Sequence, residues 1–124
     1  KTTFNFQGRP DGCYASVGYW SFGVRTLNLA LDTPGHGCFT HTVITHEWLH
    51  IVGFMHMQST YNRDNYVRIL WQNIEPGTEH NFDKFGTDLV DYMGLPYEYA
   101  SNMHYDRYSA SVNGQPTMLP IWVS

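Results

Sequence analysis

Apolar and polar residues alternate along two segments near the start of the chain, and this alternation predicts β-strands. Residues 26–31 put leucines on one face (Leu27, Leu29, Leu31) and polar or small residues on the other (Thr26, Asn28, Ala30), as in a half-buried strand. Residues 12–19 (GCYASVGY) are rich in strand formers between glycines and predict a short strand suited to a sheet edge.

From about Thr40 to Val52 the pattern changes to that of a helix with apolar residues on most sides. We therefore expect a mainly buried helix, and Gly53 stands where it should end. These three elements together predict a chain that combines strands with at least one helix.

The second half of the chain has weaker patterns. Residues 62–70 fit helix or strand equally well, whereas residues 81–93 predict a weakly helical segment. Pro96 begins a loop that carries SNMHY at residues 101–105. The tail, which contains Gly114, Pro116 and Pro120, is expected to be irregular.

Composition narrows the class of protein. The chain has 124 residues, 42% of them hydrophobic and 15% charged, which is typical of one globular domain at most. The net charge of -4 gives no basis for binding nucleic acid or an anionic membrane surface. No apolar run is long enough to span a bilayer. Because the chain begins at Lys1 without a leader, we expect a processed form or a fragment.

The two cysteines, Cys13 and Cys38, are either joined in one disulfide or present as two free thiols. A bridge between them would close a loop of 26 residues. In the chain-entropy model such a bridge contributes roughly 3.5 kcal/mol to stability. It would also require an oxidising compartment.

The stretch THEWLHIVGFMH, residues 45–56, contains the candidate metal-binding residues. His46 and His50 are four residues apart, so on a helix both imidazoles project from one face and can share one zinc ion. Gly53 allows a sharp turn that returns His56 to the same ion, while a fourth position stays open for water. A chance match to HExxHxxGxxH in this composition is on the order of one in ten thousand.

This motif is the zinc signature of the metzincin peptidases, which also have a Met-turn downstream. Met103 in SNMHY matches that methionine. The chain resembles the astacin family more specifically. GFMHMQSTYNRDNYV is similar to the family's GFxHExxRxDRDxYV, and GCYASVG and GHGCFTHTVITHE are similar to its cysteine-bearing strand and its approach to the zinc helix. The similarity extends over nearly all of the chain.

The resemblance implies an α+β, metzincin or zincin-like fold: a mixed twisted sheet, a long zinc-binding helix and a Met-turn loop. Residues 1–124 would form an astacin-like metalloprotease catalytic domain. This domain would be truncated at both ends, because the family's first strand and helix, its closing helix and a second disulfide have no counterpart. The activity implied is that of a secreted zinc endopeptidase that cleaves peptide bonds in proteins.

Individual roles follow by matching position. One Zn²⁺ per chain would be held by His46, His50 and His56, with Tyr105 as a further ligand at rest. Glu47 would be the general base toward a zinc-activated water, and Tyr105 would stabilise the tetrahedral intermediate. Gly53 and Met103 would have structural roles, and Cys13 and Cys38 would form the family's disulfide. The strand at Cys13, Tyr14 and Ala15 would pair with the extended substrate backbone.

The chain also departs from the family pattern. Met57 replaces a glutamate, Thr60 and Asn62 replace arginine and aspartate, and Asn102 replaces an apolar residue. These differences motivate an alternative, a zinc-retaining but catalytically weak homologue that acts as a binding or structural module. A third interpretation is a different zinc enzyme in which a downstream acid such as Glu75 is the third ligand.

Overall fold

The structure is a computed structural model that describes residues 1–121. Residues 122–124, the end of the tail expected to be irregular, lie outside the described residues. The chain divides into two compact units, one of Lys1–Met55 and the other beginning at His56. Among residues 1–121, no helix has the length and apolarity needed to cross a membrane.

The first unit contains a three-stranded mixed sheet. Its strands are β1 (Thr2–Gln7), β2 (Cys13–Ala15) and β3 (Gly23–Leu29), in the order β1-β3-β2. β1 runs parallel to β3, whereas β2 is antiparallel to β3. β2 is therefore an edge strand, as expected, but it covers only three of the eight residues predicted. β1 has no counterpart among the strands predicted above.

The face assignment of β3 was wrong in two respects. Asn28, expected on the less buried face, has 0% of its surface exposed, whereas Leu31 lies beyond the strand and is 78% exposed. The Asn28 side chain explains its burial: it accepts from the Arg9 N–H at 2.8 Å and donates to the Gly12 carbonyl at 2.6 Å. Burial of this amide is favourable because these partners satisfy it.

Helix α1 (His41–Ile51) agrees closely with the predicted helix. Thr40 caps its first turn by accepting a hydrogen bond from the Val43 N–H, as serine and threonine commonly do. The expectation of a mainly buried helix was wrong, because only Glu47, His50 and Ile51 are buried. Within the first unit α1 contacts β2, β3 and the 3₁₀ turn Gly37–Phe39, but these contacts leave Trp48 44% exposed and Val43, Ile44 and Leu49 only partly buried.

The second unit is mostly loops and short 3₁₀ turns around a small apolar core. β4 (Val67–Ile69) pairs antiparallel with β5 (Met118–Pro120), which resolves part of the ambiguous segment as strand. Val67, Tyr97 and Met118 form the buried cluster of this unit. The tail was expected to be irregular, but β5 forms because a distant strand pairs with it, a contact that local pattern does not report.

The helix expected over residues 81–93 is absent from the described structure. A 3₁₀ turn, Glu79–Phe82, ends where Asp83 adopts an extended conformation. The Phe85 N–H donates to the Ser59 carbonyl at 2.8 Å, outside any helix, whereas the Leu89 and Val90 N–H groups both donate to the Gly86 carbonyl and form only a local turn. The extended conformation at Asp83 and the tertiary hydrogen bond of Phe85 interrupt the helical pattern at its start.

Candidate metal centre

Two of the three expected metal ligands lie one turn apart on α1. The rings of His46 and His50 are 4.7 Å apart between centroids and nearly perpendicular, at 89°. This separation follows from their i, i+4 spacing, which puts both side chains on one face of the helix. His50 is buried, and His46 is partly exposed.

Gly53 ends the helical conformation as expected. Its φ of 107° lies in the left-handed region that glycine adopts without strain, and its N–H donates to the His50 carbonyl at 2.9 Å. His56 follows three residues later. The ligand nitrogens of His46, His50 and His56 all lie within 4.8 Å of one another, so the three imidazoles are close enough to share one cation.

The hydrogen bonding of His50 favours metal binding. Its Nδ1 lies 2.8 Å from the Phe54 carbonyl oxygen. Because a carbonyl only accepts, Nδ1 must bear the proton, and Nε2 then has the lone pair that a metal ligand requires. Metal-binding histidines are commonly oriented by such a contact at the other ring nitrogen. Burial lowers the pKa of His50, which also favours the neutral ring.

Glu47 lies beside the first histidine and is 5% exposed. Its Oε2 is buried and has no hydrogen-bond partner among residues 1–121. Burial raises the pKa of Glu47 above its ordinary value, and the neighbouring charge of His46 opposes that rise. An orphaned carboxylate oxygen is costly to bury, so this atom needs a polar partner such as water near a cation. The three imidazoles therefore fit a zinc site as ligands, and the Glu47 carboxylate lies beside them as a polar group that is not a ligand.

Met103 and Tyr105 lie in a tight turn of the second unit. The His104 N–H donates to the Ser101 carbonyl at 2.9 Å, and Met103 is 4% exposed. The Met103 carbonyl accepts from the Met57 N–H at 2.8 Å, which connects this turn to the residue after His56. The ring of Tyr105 lies 4.5 Å from the ring of His56 between centroids.

Cys13 and Cys38 form a disulfide, with Cα atoms 5.6 Å apart. This resolves the choice between a bridge and two thiols in favour of the bridge. The bond ties edge strand β2 to the 3₁₀ turn Gly37–Phe39 just before α1. Glu75 is exposed and is not a member of the histidine cluster, so the interpretation that made it the third ligand has no support.

Comparison with known proteins decides the family. The family model for the astacin peptidases matches residues 1–123. The chain belongs to the astacin family. It is 44% identical over 115 residues to zinc metalloproteinase nas-7 of Caenorhabditis elegans. The matched region covers 93% of this chain and 28% of that protein. It is also 39% identical over 109 residues to human meprin A subunit beta, and this match covers 88% of this chain and 15% of that protein.

A solved astacin-family structure confirms the fold. High choriolytic enzyme 1, a hatching enzyme zinc-protease from the medaka fish Oryzias latipes, matches with a TM-score of 0.83 and 34% identity. The match covers 95% of this chain and 55% of that one. The expectations of an α+β zincin-like fold and of a zinc-binding histidine triad are thus confirmed. The chain spans about a quarter of nas-7 and about half of the solved enzyme.

The sequence did not predict two buried residues that contact Tyr105. Gln58 and Phe82 are both 0% exposed, and both contact Tyr105. Gln58 stands in a polar run, QSTYNRDN, that gives no sign of burial. Phe82 is separated from Tyr105 by more than twenty residues, so no local pattern connects them.

Proposed function

We propose that this chain forms the zinc-binding catalytic part of a secreted endopeptidase that hydrolyses peptide bonds in proteins. The observation that carries the proposal is the buried Glu47 carboxylate, with an oxygen lacking a partner among residues 1–121, next to a histidine triad with ligand spacing. Membership of a family whose relatives include zinc metalloproteinases supports it. The disulfide fits an extracellular protein, because such bonds persist in oxidising compartments.

His46, His50 and His56 would hold the zinc, with Tyr105 as an additional ligand at rest. When bound, zinc polarises the substrate carbonyl and lowers the pKa of water, which favours attack on the peptide carbon. All other steps belong to side chains of this chain or to the substrate.

Glu47 is the general base of the proposed reaction. Its carboxylate accepts a proton from the attacking water as the water oxygen bonds to the carbonyl carbon. It then gives this proton to the amide nitrogen as the C–N bond breaks, so one water is consumed and one amine and one carboxyl group are formed.

Tyr105 supports the charge that develops on the carbonyl oxygen, since a phenol O–H can donate to an oxyanion. The edge strand β2, with Cys13, Tyr14 and Ala15, pairs with the substrate backbone in an extended conformation. Main-chain pairing of this kind binds many sequences, because it does not depend on side chains. Met103 has a structural role, because its buried turn accepts the hydrogen bond of the Met57 N–H, directly after His56.

The test is cleavage of a denatured protein by the full chain loaded with zinc. We expect Glu47→Ala to abolish cleavage while zinc content stays the same, because Glu47 is not a ligand. Glu75→Ala, at an exposed carboxylate outside the cluster, is the matched control and should retain wild-type activity. Equal activity in the wild type and Glu47→Ala would reject the proposal and favour the zinc-retaining binding module.

A further inference from the structure

Within the second unit, the ring of Tyr105 packs against the rings of His56 and Phe82. The ring lies 4.5 Å from that of His56, and it meets the ring of Phe82 edge to face, with centroids 5.8 Å apart. Tyr105 also packs against the apolar cluster around Val67. The position of this side chain therefore depends on whatever holds its backbone.

The side chain of Gln58 anchors the backbone of Tyr105. Its Oε1 accepts a hydrogen bond from the Tyr105 N–H at 3.1 Å, across 47 residues of sequence. Because an N–H can only donate, the amide oxygen and not the nitrogen must face Tyr105. Gln58 has 0% of its surface exposed, so water does not compete for this bond.

Arg63 holds the backbone of both Gln58 and Phe82. Its Nη1 donates to the Gln58 carbonyl at 2.9 Å and to the Phe82 carbonyl at 2.8 Å. One guanidinium thus ties together the two residues that contact Tyr105, and Arg63 is itself only 4% exposed. Charge-assisted bonds of this kind are stronger than neutral ones, which makes the anchor rigid.

We infer that Gln58 is a positioning residue for Tyr105: its side-chain amide holds the Tyr105 backbone so that the phenol ring stays beside His56. The inference rests on the proposed function only in giving Tyr105 a catalytic role. Gln58 itself does not touch substrate. It acts by fixing the backbone of Tyr105.

A double-mutant cycle tests this coupling. Gln58→Met preserves length and removes the acceptor, and we expect it to lower kcat about tenfold with KM changed less than about twofold. In a Tyr105→Phe background the same substitution should change kcat less than about twofold, because the group it positions is already gone. A loss of the same size in both backgrounds, or no loss in the wild-type background, would overturn the inference.

Thr117→Val is the matched control. Thr117 is also 0% exposed in the same unit, and its hydroxyl donates to the Ser109 carbonyl at 2.8 Å. This variant should lower the unfolding temperature but affect kcat equally with Tyr105 and with Tyr105→Phe. Coupling of Thr117 to Tyr105 as strong as that of Gln58 would show a general packing effect and would overturn the inference.

Amide hydrogen exchange on the wild-type chain gives a second measurement that needs neither activity nor a folded variant. The Tyr105 amide should exchange much more slowly than an unprotected one, and rapid exchange would overturn the inference. If the wild type does not cleave protein, the proposed function fails, yet a protected Tyr105 amide still supports the Gln58 anchor. If cleavage depends on Glu47 but Tyr105 exchanges freely, only the anchor fails.

Discussion

His50 shows how one residue connects the end of a helix to the chemistry of a site. Its Nδ1–H donates to the Phe54 carbonyl, four residues along the chain. That carbonyl lies beyond the helical hydrogen-bond ladder because Gly53, with φ of 107°, ends the helix. The glycine therefore does two things: it turns the chain just before His56, and by ending the helix it leaves the Phe54 carbonyl outside the ladder, where it accepts from His50.

Asn28 is the residue on which we expect the first unit to depend most among its buried polar groups. Besides Arg9 and Gly12, its amide contacts the Asp11 carboxylate at 3.2 Å, so it orders the whole turn that leads into β2. Asn28→Ala should lower the free energy of unfolding by about 2–3 kcal/mol, because backbone groups of that turn lose their partners. Urea denaturation monitored by circular dichroism measures this.

Asn5→Ala is the control for Asn28. Asn5 lies on β1 with an exposed side chain, which donates a hydrogen bond to Gln7 Oε1 at 3.2 Å. Its replacement should change stability by less than about 0.5 kcal/mol. If Asn28→Ala were as stable as Asn5→Ala, the assigned role of the Asn28 amide would be wrong.

At the scale of elements, the 3₁₀ turn Arg63–Asn65 is held by charge as well as by packing. Asp64 accepts from Lys84 Nζ at 2.7 Å and from Arg63 Nε at 2.5 Å. The hydrogen bond from Lys84, with a smaller contribution from Arg63, lowers the pKa of Asp64 below its ordinary value. The charged carboxylate is therefore stabilised more in the folded than in the unfolded chain.

This pKa shift predicts a pH dependence of stability. A carboxyl group with a lowered folded-state pKa stabilises the fold above its ordinary pKa of about 4, and the contribution disappears as pH falls through the folded-state value. Asp64→Asn should thus be less stable than the wild type at pH 7, with a difference that shrinks at pH 2–3. Thermal unfolding at each pH measures the difference.

Asp88→Asn provides the comparison, since Asp88 is exposed and makes no ion pair among residues 1–121. It should match the wild type at every pH. A deficit of Asp64→Asn that stayed constant down to pH 2 would mean that side-chain shape, not charge, supports this turn.

Elements differ in how far local sequence predicts them. Helix α1 was predicted to within one residue at each end, because Thr40 and Gly53 are strong boundary signals. β1 and β5 were missed, since β1 depends on pairing with β3 and β5 on pairing with β4. The three histidines were found because they lie within one short motif of the sequence, whereas the Gln58 contact with Tyr105 spans 47 residues.

At the scale of the whole molecule, one departure from the family pattern stands directly after the proposed ligand His56. Met57, which replaces the family's usual glutamate, packs against the apolar cluster of Val67, Tyr97 and Met118. Its N–H still bonds the Met103 carbonyl, so the connection to the Met-turn does not need the acidic side chain. This departure is accommodated by packing within the second unit.

Zinc binding by the three histidines is tested by the zinc content of the full chain after equilibrium dialysis, measured by atomic absorption. The variants to compare are His56→Ala, which removes one proposed ligand, and His80→Ala, at an exposed histidine outside the cluster. We predict one zinc per chain for the wild type and for His80→Ala, and a large loss for His56→Ala. A wild-type chain that binds no zinc, or a His56→Ala chain that keeps a full equivalent, would contradict it.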